Sequence, residues 1–251
     1  MQEPGENRQL GRRLGAGKEA EVFECGSRVA KLYKPNAPKR SAFREATILA
    51  FVESLGMPAP AVWGVREFDG RWGVIMDRID GPLFAEAMRR DLAAIPAHLT
   101  AMAALHRRVH AESAAPLASL KAKLAANTQR TTLLNETHRV DLLAHLAVLP
   151  DGDRLCHGDF HPENIVGPIG RETILDWLDA SRGDPAADVC RTYVLIKPFS
   201  EELAATYVEA YAVEGKVSRE AIMNWLPLVA AARLAEGVPG EVEGLLRMAE
   251  S

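Results

Sequence analysis

Between Leu155 and Gly167 the chain reads LCHGDFHPENIVG, with His157, Asp159, His161, Glu163 and Asn164 crowded into residues 157–164. Two chemistries fit such a cluster. On a strand, His157, Asp159 and His161 alternate onto one face, as metal ligands do, and His106 and His110 lie at i, i+4 for a helix, the spacing of a histidine metal pair. Alternatively, Asp159 and Asn164 have the D-x-x-x-x-N spacing of phosphoryl transfer, in which the carboxylate orients an acceptor hydroxyl and the amide oxygen binds Mg²⁺. Asp176, in Ile174-Leu175-Asp176-Trp177, follows Asn164 by twelve residues. Magnesium takes hard oxygen ligands and keeps several waters, so Asn164, Asp176 and phosphate oxygens suffice for it.

The metal reading lacks a part. No glutamate follows His106 as a zinc-protease HExxH helix requires, and Leu105 and Val109 mark that helix as core-packed, with His106 packed or hydrogen-bonded and His110 at the surface. Phosphoryl transfer needs holders for the phosphates, and these occur in order along the chain. Leu14-Gly15-Ala16-Gly17-Lys18-Glu19-Ala20-Glu21-Val22 offers a glycine-rich turn between strand signals, a common feature taken alone. It is not a Walker A loop, because Arg12 stands where the first glycine would and Glu19 where the magnesium-binding hydroxyl would. Lys31 follows in an apolar strand, and Glu45, fourteen residues on, lies in a helix from which it can pair with that ammonium.

The elements that must place these residues follow from periodicity. Arg13 to Cys25 and Arg28 to Tyr33 are β-capable around Cys25-Gly26-Ser27, and Ala61 to Phe68 with Trp72 to Met76 brackets the hairpin signal Asp69-Gly70. From Lys39 to Leu55, Phe43, Ile48, Val52 and Leu55 recur at near-helical spacing. Beyond Pro82 the texture turns helical, over 83–92, 96–112, 117–126 and 140–149. Short strands follow at 155–156, 165–166 and 173–175, and helices resume at 185–197, 200–213, 218–235 and 239–250. The expected class is α+β, two lobes with a ligand in the cleft: residues 1–79 as a β-rich lobe with one main helix, a hinge at about 75–81, and 80–251 as a helical lobe.

Bulk properties remove other classes. The chain has 251 residues, 47% of them hydrophobic, and a formal charge of -4. That supplies a core and no global basic surface for nucleic acid. Three scattered cysteines, Cys25, Cys156 and Cys190, form neither a disulfide framework nor a zinc pattern. No window has the roughly 18 apolar residues of a membrane span. A reducing cytoplasm is the expected compartment.

The sequence resembles the aminoglycoside phosphotransferase and choline kinase group, which has the protein-kinase-like fold. The resemblance lies in HGDFHPEN at 157–164, LDWLDASRGDPAAD at 175–188 and the ALHRRVH helix, and with the glycine turn, Lys31 and Glu45 it spans roughly residues 10 to 195. It implies ATP and Mg²⁺ as cofactors and a small-molecule hydroxyl as acceptor. Asp159 would be the catalytic aspartate, Asn164 and Asp176 the Mg²⁺ ligands, and Lys31, paired with Glu45, the phosphate holder. Gly15, Gly17, Val22, Ala30, Met76, Asp77 and Ile79 would complete the nucleotide site, the last three from the hinge. His157 would support the loop, His161 would approach the phosphate, Asp188 would brace the loop backbone and Asp179 would lie near the acceptor. GAGKEAEVF with VAKLYKP is also similar to the RIO kinases, which leaves a protein substrate open, although that group lacks HGDFHPEN. A catalytically idle nucleotide-binding module would have lost the lysine, the base or a magnesium ligand, and all are present.

Overall fold

The computed structural model describes residues 10–250. Its chain forms two compact units, Met1–Pro82 with Ile165–Leu178, and Leu83–Asn164 with Asp179–Ser251.

The first unit is built on an antiparallel sheet of β1 (Arg13–Ala16), β2 (Ala20–Cys25), β3 (Arg28–Tyr33), β4 (Val62–Phe68) and β5 (Arg71–Asp77), in the order β1-β2-β3-β5-β4. Helix α1 (Arg40–Ser54) precedes β4 and buries Ala42, Ile48, Leu49 and Val52. Phe43, which the spacing places among the apolar positions, is instead exposed, its ring 5.9 Å from that of Trp72. The β4–β5 turn has φ of 48° at Asp69 and 79° at Gly70, the left-handed pair that suits a tight hairpin.

Side chains alternate across a sheet with a period of two, and this sorts the expected nucleotide residues. Val22 lies opposite Lys31 and Val29 opposite Met76, so Val22, Lys31 and Met76 share one face. Ala30 points the other way, fully buried in an apolar cluster with Leu32, Phe68 and Ile75. Ala30 is therefore core, a correction to its place among the nucleotide residues; the neighbour of Lys31 on its own face is Val29.

The second unit begins with α2 (Phe84–Arg90), α3 (Ile95–His110), α4 (Leu120–Arg130), α5 (Glu136–Val148) and β6 (Arg154–Cys156). The chain then enters the first unit as a hairpin of β7 (Ile165–Val166) and β8 (Thr173–Ile174). That segment, grouped by the sequence reading with the helical lobe, is tied by backbone donation from Ile174 to Pro58, 2.7 Å, and from Gly167 to Pro82, 3.0 Å. Back in the second unit, β9 (Ser181–Gly183) pairs with β6, and α6 (Pro185–Ile196), α7 (Glu201–Gly215), α8 (Arg219–Met223), α9 (Leu226–Leu234) and α10 (Val242–Ala249) follow.

Helix α3 packs on α7, and α4 and α10 pack on α9. Side chains of Ser119, Asn135, Asp184, Ser200 and Ser218 cap α4, α5, α6, α7 and α8, each cap contributing about 1 kcal/mol. The single helix expected over 218–235 is divided, because Pro227 has no N–H to continue α8 and instead occupies the first turn of α9. Among the described residues no helix is long and apolar enough to cross a membrane.

Candidate functional site

In the first unit, Lys31 is the centre of a charged group. Its Nζ donates to Glu45 Oε1 at 2.7 Å and to Asp176 Oδ1 at 2.9 Å. Burial opposes the ammonium, and the two carboxylates more than offset it, so the Lys31 pKa is raised. Glu45 is fully buried, and its second oxygen accepts from the Tyr33 hydroxyl at 2.6 Å. With both oxygens engaged, Glu45 fixes Lys31 in one position. Asp176 is exposed and sits in the left-handed region at φ 55°. Aspartate tolerates that conformation better than most residues, and such local strain is concentrated at ligand sites.

Gly15 lies in the exposed strand β1 and Gly17 in the turn that follows it, closed by donation from Gly17 N–H to the Ala20 carbonyl at 2.8 Å. A Cβ on Gly15 would meet nothing within 4 Å, so the space beside this backbone is open to a ligand. At the other end of the sheet, Met76 is buried near the end of β5. The Asp77 carboxylate accepts from Trp63 Nε1 at 2.6 Å, and Ile79 is half-buried beyond the strand.

In the second unit, Asp159 and Asn164 are joined. Asn164 Nδ2 donates to the Asp159 carbonyl at 2.8 Å and to its Oδ2 at 2.9 Å. The amide nitrogen is thereby committed, and the amide oxygen is the atom left to act as a hard ligand. His161 Nε2 lies 3.5 Å from Asp159 Oδ2 and 3.2 Å from Asn164 Nδ2. Burial alone would raise the Asp159 pKa, but His161, His157 and Arg191 outweigh it and hold the group well below the ordinary carboxylate range. Asp159 is thus ionised at neutral pH.

The loop that carries Asp159 hangs from Asp188. Its Oδ2 accepts from the His157 N–H at 2.6 Å and its Oδ1 from the Gly158 N–H at 2.8 Å. Oδ2 also meets His106 Nε2 at 2.9 Å and His110 Nε2 at 3.2 Å. Burial and the neighbouring His110 push His106 down to a pKa of about 3 despite the carboxylate, so the ring is neutral, donating from Nε2 and accepting at Nδ1 from the Tyr207 hydroxyl, 2.6 Å away. His110 Nδ1 meets the Tyr211 hydroxyl at 2.7 Å. His110 is therefore buried rather than at the surface as its helical position suggested, because α7 covers that face.

Among the described residues, His106, His110 and Asp188 form the group whose ligand atoms lie close enough to hold a metal. All three are already joined to one another, and Asp188 also carries the loop backbone. A cation there would displace the donors that hold the loop. His157, Asp159 and His161 do not form such a group: His157 Nδ1 accepts from the Asp159 N–H at 3.1 Å instead.

Gly158 requires its identity, with φ at 81° and a Cβ that would lie 2.6 Å from the Asp179 carbonyl oxygen. Asp179 pairs with Lys123 of α4 at 2.5 Å. Arg191 was not singled out by the sequence reading. Its Nε donates to the Gly158 carbonyl at 3.2 Å, and it lies three residues after Asp188 on α6, a spacing that could have flagged it.

The family model described as "Phosphotransferase enzyme family", APH, matches residues 11–222. The chain belongs to that family. It is accordingly a kinase-type phosphotransferase with a hydroxyl acceptor on a small molecule, on a protein-kinase-like fold. No curated protein sequence matches it. A thermostable mutant of aminoglycoside phosphotransferase APH(4)-Ia, in a ternary complex with AMP-PNP and hygromycin B, is 18% identical with a TM-score of 0.67, covering 96% of this chain and 89% of that one. APH(3'')-Id from Streptomyces rimosus, bound to ADP and streptomycin, is 18% identical with a TM-score of 0.64, covering 88% and 92%. A choline/ethanolamine kinase family protein from Mesorhizobium loti is 18% identical with a TM-score of 0.62, covering 96% and 82%. At such identities these similarities speak for the fold of the phosphotransferase and leave its acceptor open.

Proposed function

We propose that the chain moves the γ-phosphoryl group of ATP to a hydroxyl of a small molecule, with Mg²⁺ as the metal. The observation that carries this reading is Lys31, held by Glu45 and within 2.9 Å of Asp176. A fixed ammonium and a carboxylate at neighbouring atoms suit a phosphate oxygen and the cation that neutralises it. Val22 and Met76 share the face of Lys31 and would border the nucleotide, Gly15 and Gly17 would cover its phosphates, and Asp77 and Ile79 would offer backbone hydrogen bonds. The oxygens each unit would have to offer a metal are Asn164 Oδ1 in the second, since Nδ2 is taken by Asp159, and Asp176 Oδ2 in the first, since Oδ1 meets Lys31. Both are hard oxygens, which fits magnesium. Bound there, Mg²⁺ would supply charge neutralisation to the transferring group.

Asp159, ionised and steadied by Asn164, would accept the proton of the acceptor hydroxyl or align it for attack. His161 would face the same carboxylate and help to orient the phosphate, while His157 and Asp188 keep the loop rigid. Asp179 would lie on the acceptor side. Free thiols at Cys25, Cys156 and Cys190 agree with a reducing cytoplasm.

Replacing Asp159 with Asn tests the assignment. The carboxamide keeps the shape but cannot take a proton, so turnover of an identified acceptor should fall by roughly 10² to 10⁴ with nucleotide affinity retained. Near-normal turnover would remove Asp159 from the chemistry.

A further inference from the structure

A cleft opens within the second unit beside Gly158, the residue before Asp159, between α4, α6 and α9. Leu120, Leu124 and Val229 give it an apolar side, and Lys123, Arg191 and Glu236 a polar one. A polycation would need carboxylates free to meet its ammonium groups. The acids on and beside this wall are Asp188, Asp159, Asp179, Glu236, Glu241 and Asp184, and each already has a partner from the same unit, His106 and His110 for Asp188 and Asn164 for Asp159.

Asp179 takes Lys123 at 2.5 Å. Glu236 lies between two guanidinium groups, with Arg191 at 2.8 and 3.0 Å and Arg233 at 2.8 Å. Glu241 accepts both Nε and Nη2 of Arg233, at 2.6 and 2.8 Å. Asp184 is turned to the Ala186 N–H at 2.8 Å as the cap of α6. Lys123, Arg191 and Arg233 thus balance Asp179, Glu236 and Glu241 one for one. The arginines are largely buried, with side chains 12% and 11% exposed. A ligand ammonium would have to displace cations that the chain itself holds in place, and forked arginine–carboxylate pairs are among the strongest of protein hydrogen bonds.

We propose that this cleft takes a hydroxyl acceptor without net positive charge, its apolar side against Leu120, Leu124 and Val229. The inference rests on the phosphotransferase reading above, in that the cleft adjoins Asp159. It narrows the acceptor to uncharged or weakly polar hydroxyl compounds and sets aside polyamine sugars and quaternary amines.

The test uses the full chain with Mg²⁺ and a non-hydrolysable ATP analogue at low salt, titrated with gentamicin as a polycation. Lys123→Gln frees the Asp179 carboxylate, and Arg233→Gln frees Glu241 from the other wall should the first variant fold poorly. Each newly exposed carboxylate should strengthen gentamicin binding about tenfold over the wild type. Wild-type affinity equal to that of the variants, no gain in either variant, or phosphoryl transfer to gentamicin or choline would overturn the proposal. Nucleotide binding is measured in a separate titration. Its loss would count against the ATP-dependent reading, whereas the gentamicin comparison reports on the cleft by itself.

Discussion

Glu45 in the first unit and Asp188 in the second are the two acids buried almost completely among the described residues, and they stabilise different things. Glu45 holds a side chain: one oxygen fixes the Lys31 ammonium and the other takes the Tyr33 hydroxyl. Asp188 holds the main chain, through the His157 and Gly158 N–H groups, with the neutral His106 and with His110 filling its remaining acceptor positions. A lysine can be set by one opposing charge because its stem adapts. A loop is set only when its backbone is pinned at more than one atom, as Asp188 pins the His157 and Gly158 N–H groups beside Asp159. The first unit therefore has an ion pair at its centre, and the second a hydrogen-bond network in which the histidines serve as donors.

Removing each anchor should expose the contrast. Asp188→Ala leaves two backbone N–H groups and two imidazole donors buried without their acceptor, and we expect a loss of about 3–5 kcal/mol in denaturant unfolding. A loss below 1 kcal/mol would mean that packing alone holds the loop. Glu45→Gln should cost less, about 1.5–3 kcal/mol, because Lys31 keeps Asp176. Hydrogen exchange should then loosen around β3 and α1 and leave the His157 and Gly158 amides protected; loss of protection there would contradict two separate anchors.

The anchors should also fail at opposite ends of the pH range. His106 is neutral in the folded chain down to about pH 3, whereas an unfolded histidine takes its proton near pH 6.5. The unfolded chain thus binds more protons as pH falls below that value, and stability drops on the order of 2 kcal/mol by pH 5. Lys31 behaves inversely. With its pKa raised above 10.5, its contribution is complete below that value and is lost as pH rises through the folded-state pKa. Hydrogen exchange after acid and after alkaline incubation should show α3 and α6 weakening first in acid, and β3 with α1 first in alkali. The smallest effects are expected from Tyr33→Phe and Tyr211→Phe, about 1 kcal/mol each.

Much of the first unit was legible in the chain. Its strands show period-two alternation and end at Cys25-Gly26-Ser27 and Asp69-Gly70, where local turn chemistry decides the register. The family resemblance puts Ala30 at the nucleotide, but it is core, because Lys31 and Val29 take the opposite face of β3. In the second unit β9 was missed: Ser181-Arg182-Gly183 has no strand character of its own and is extended because β6 pairs with it. The burial of His110 and the role of Arg191 escaped for a related reason, since α7 and the Gly158 carbonyl are distant in sequence.

The sequence by itself determined the order and type of the candidate groups, the glycine turn, Lys31, Glu45, Asp159, Asn164 and Asp176, because their residue types and their order along the chain are read directly from it. It also marked Asp188 as a candidate brace through the family resemblance. Only the tertiary structure decided that the acids near Gly158 are matched by Lys123, Arg191 and Arg233. Charges on α4, α6 and α9 meet only when those helices pack, and neither spacing nor net charge records which carboxylate has found a partner.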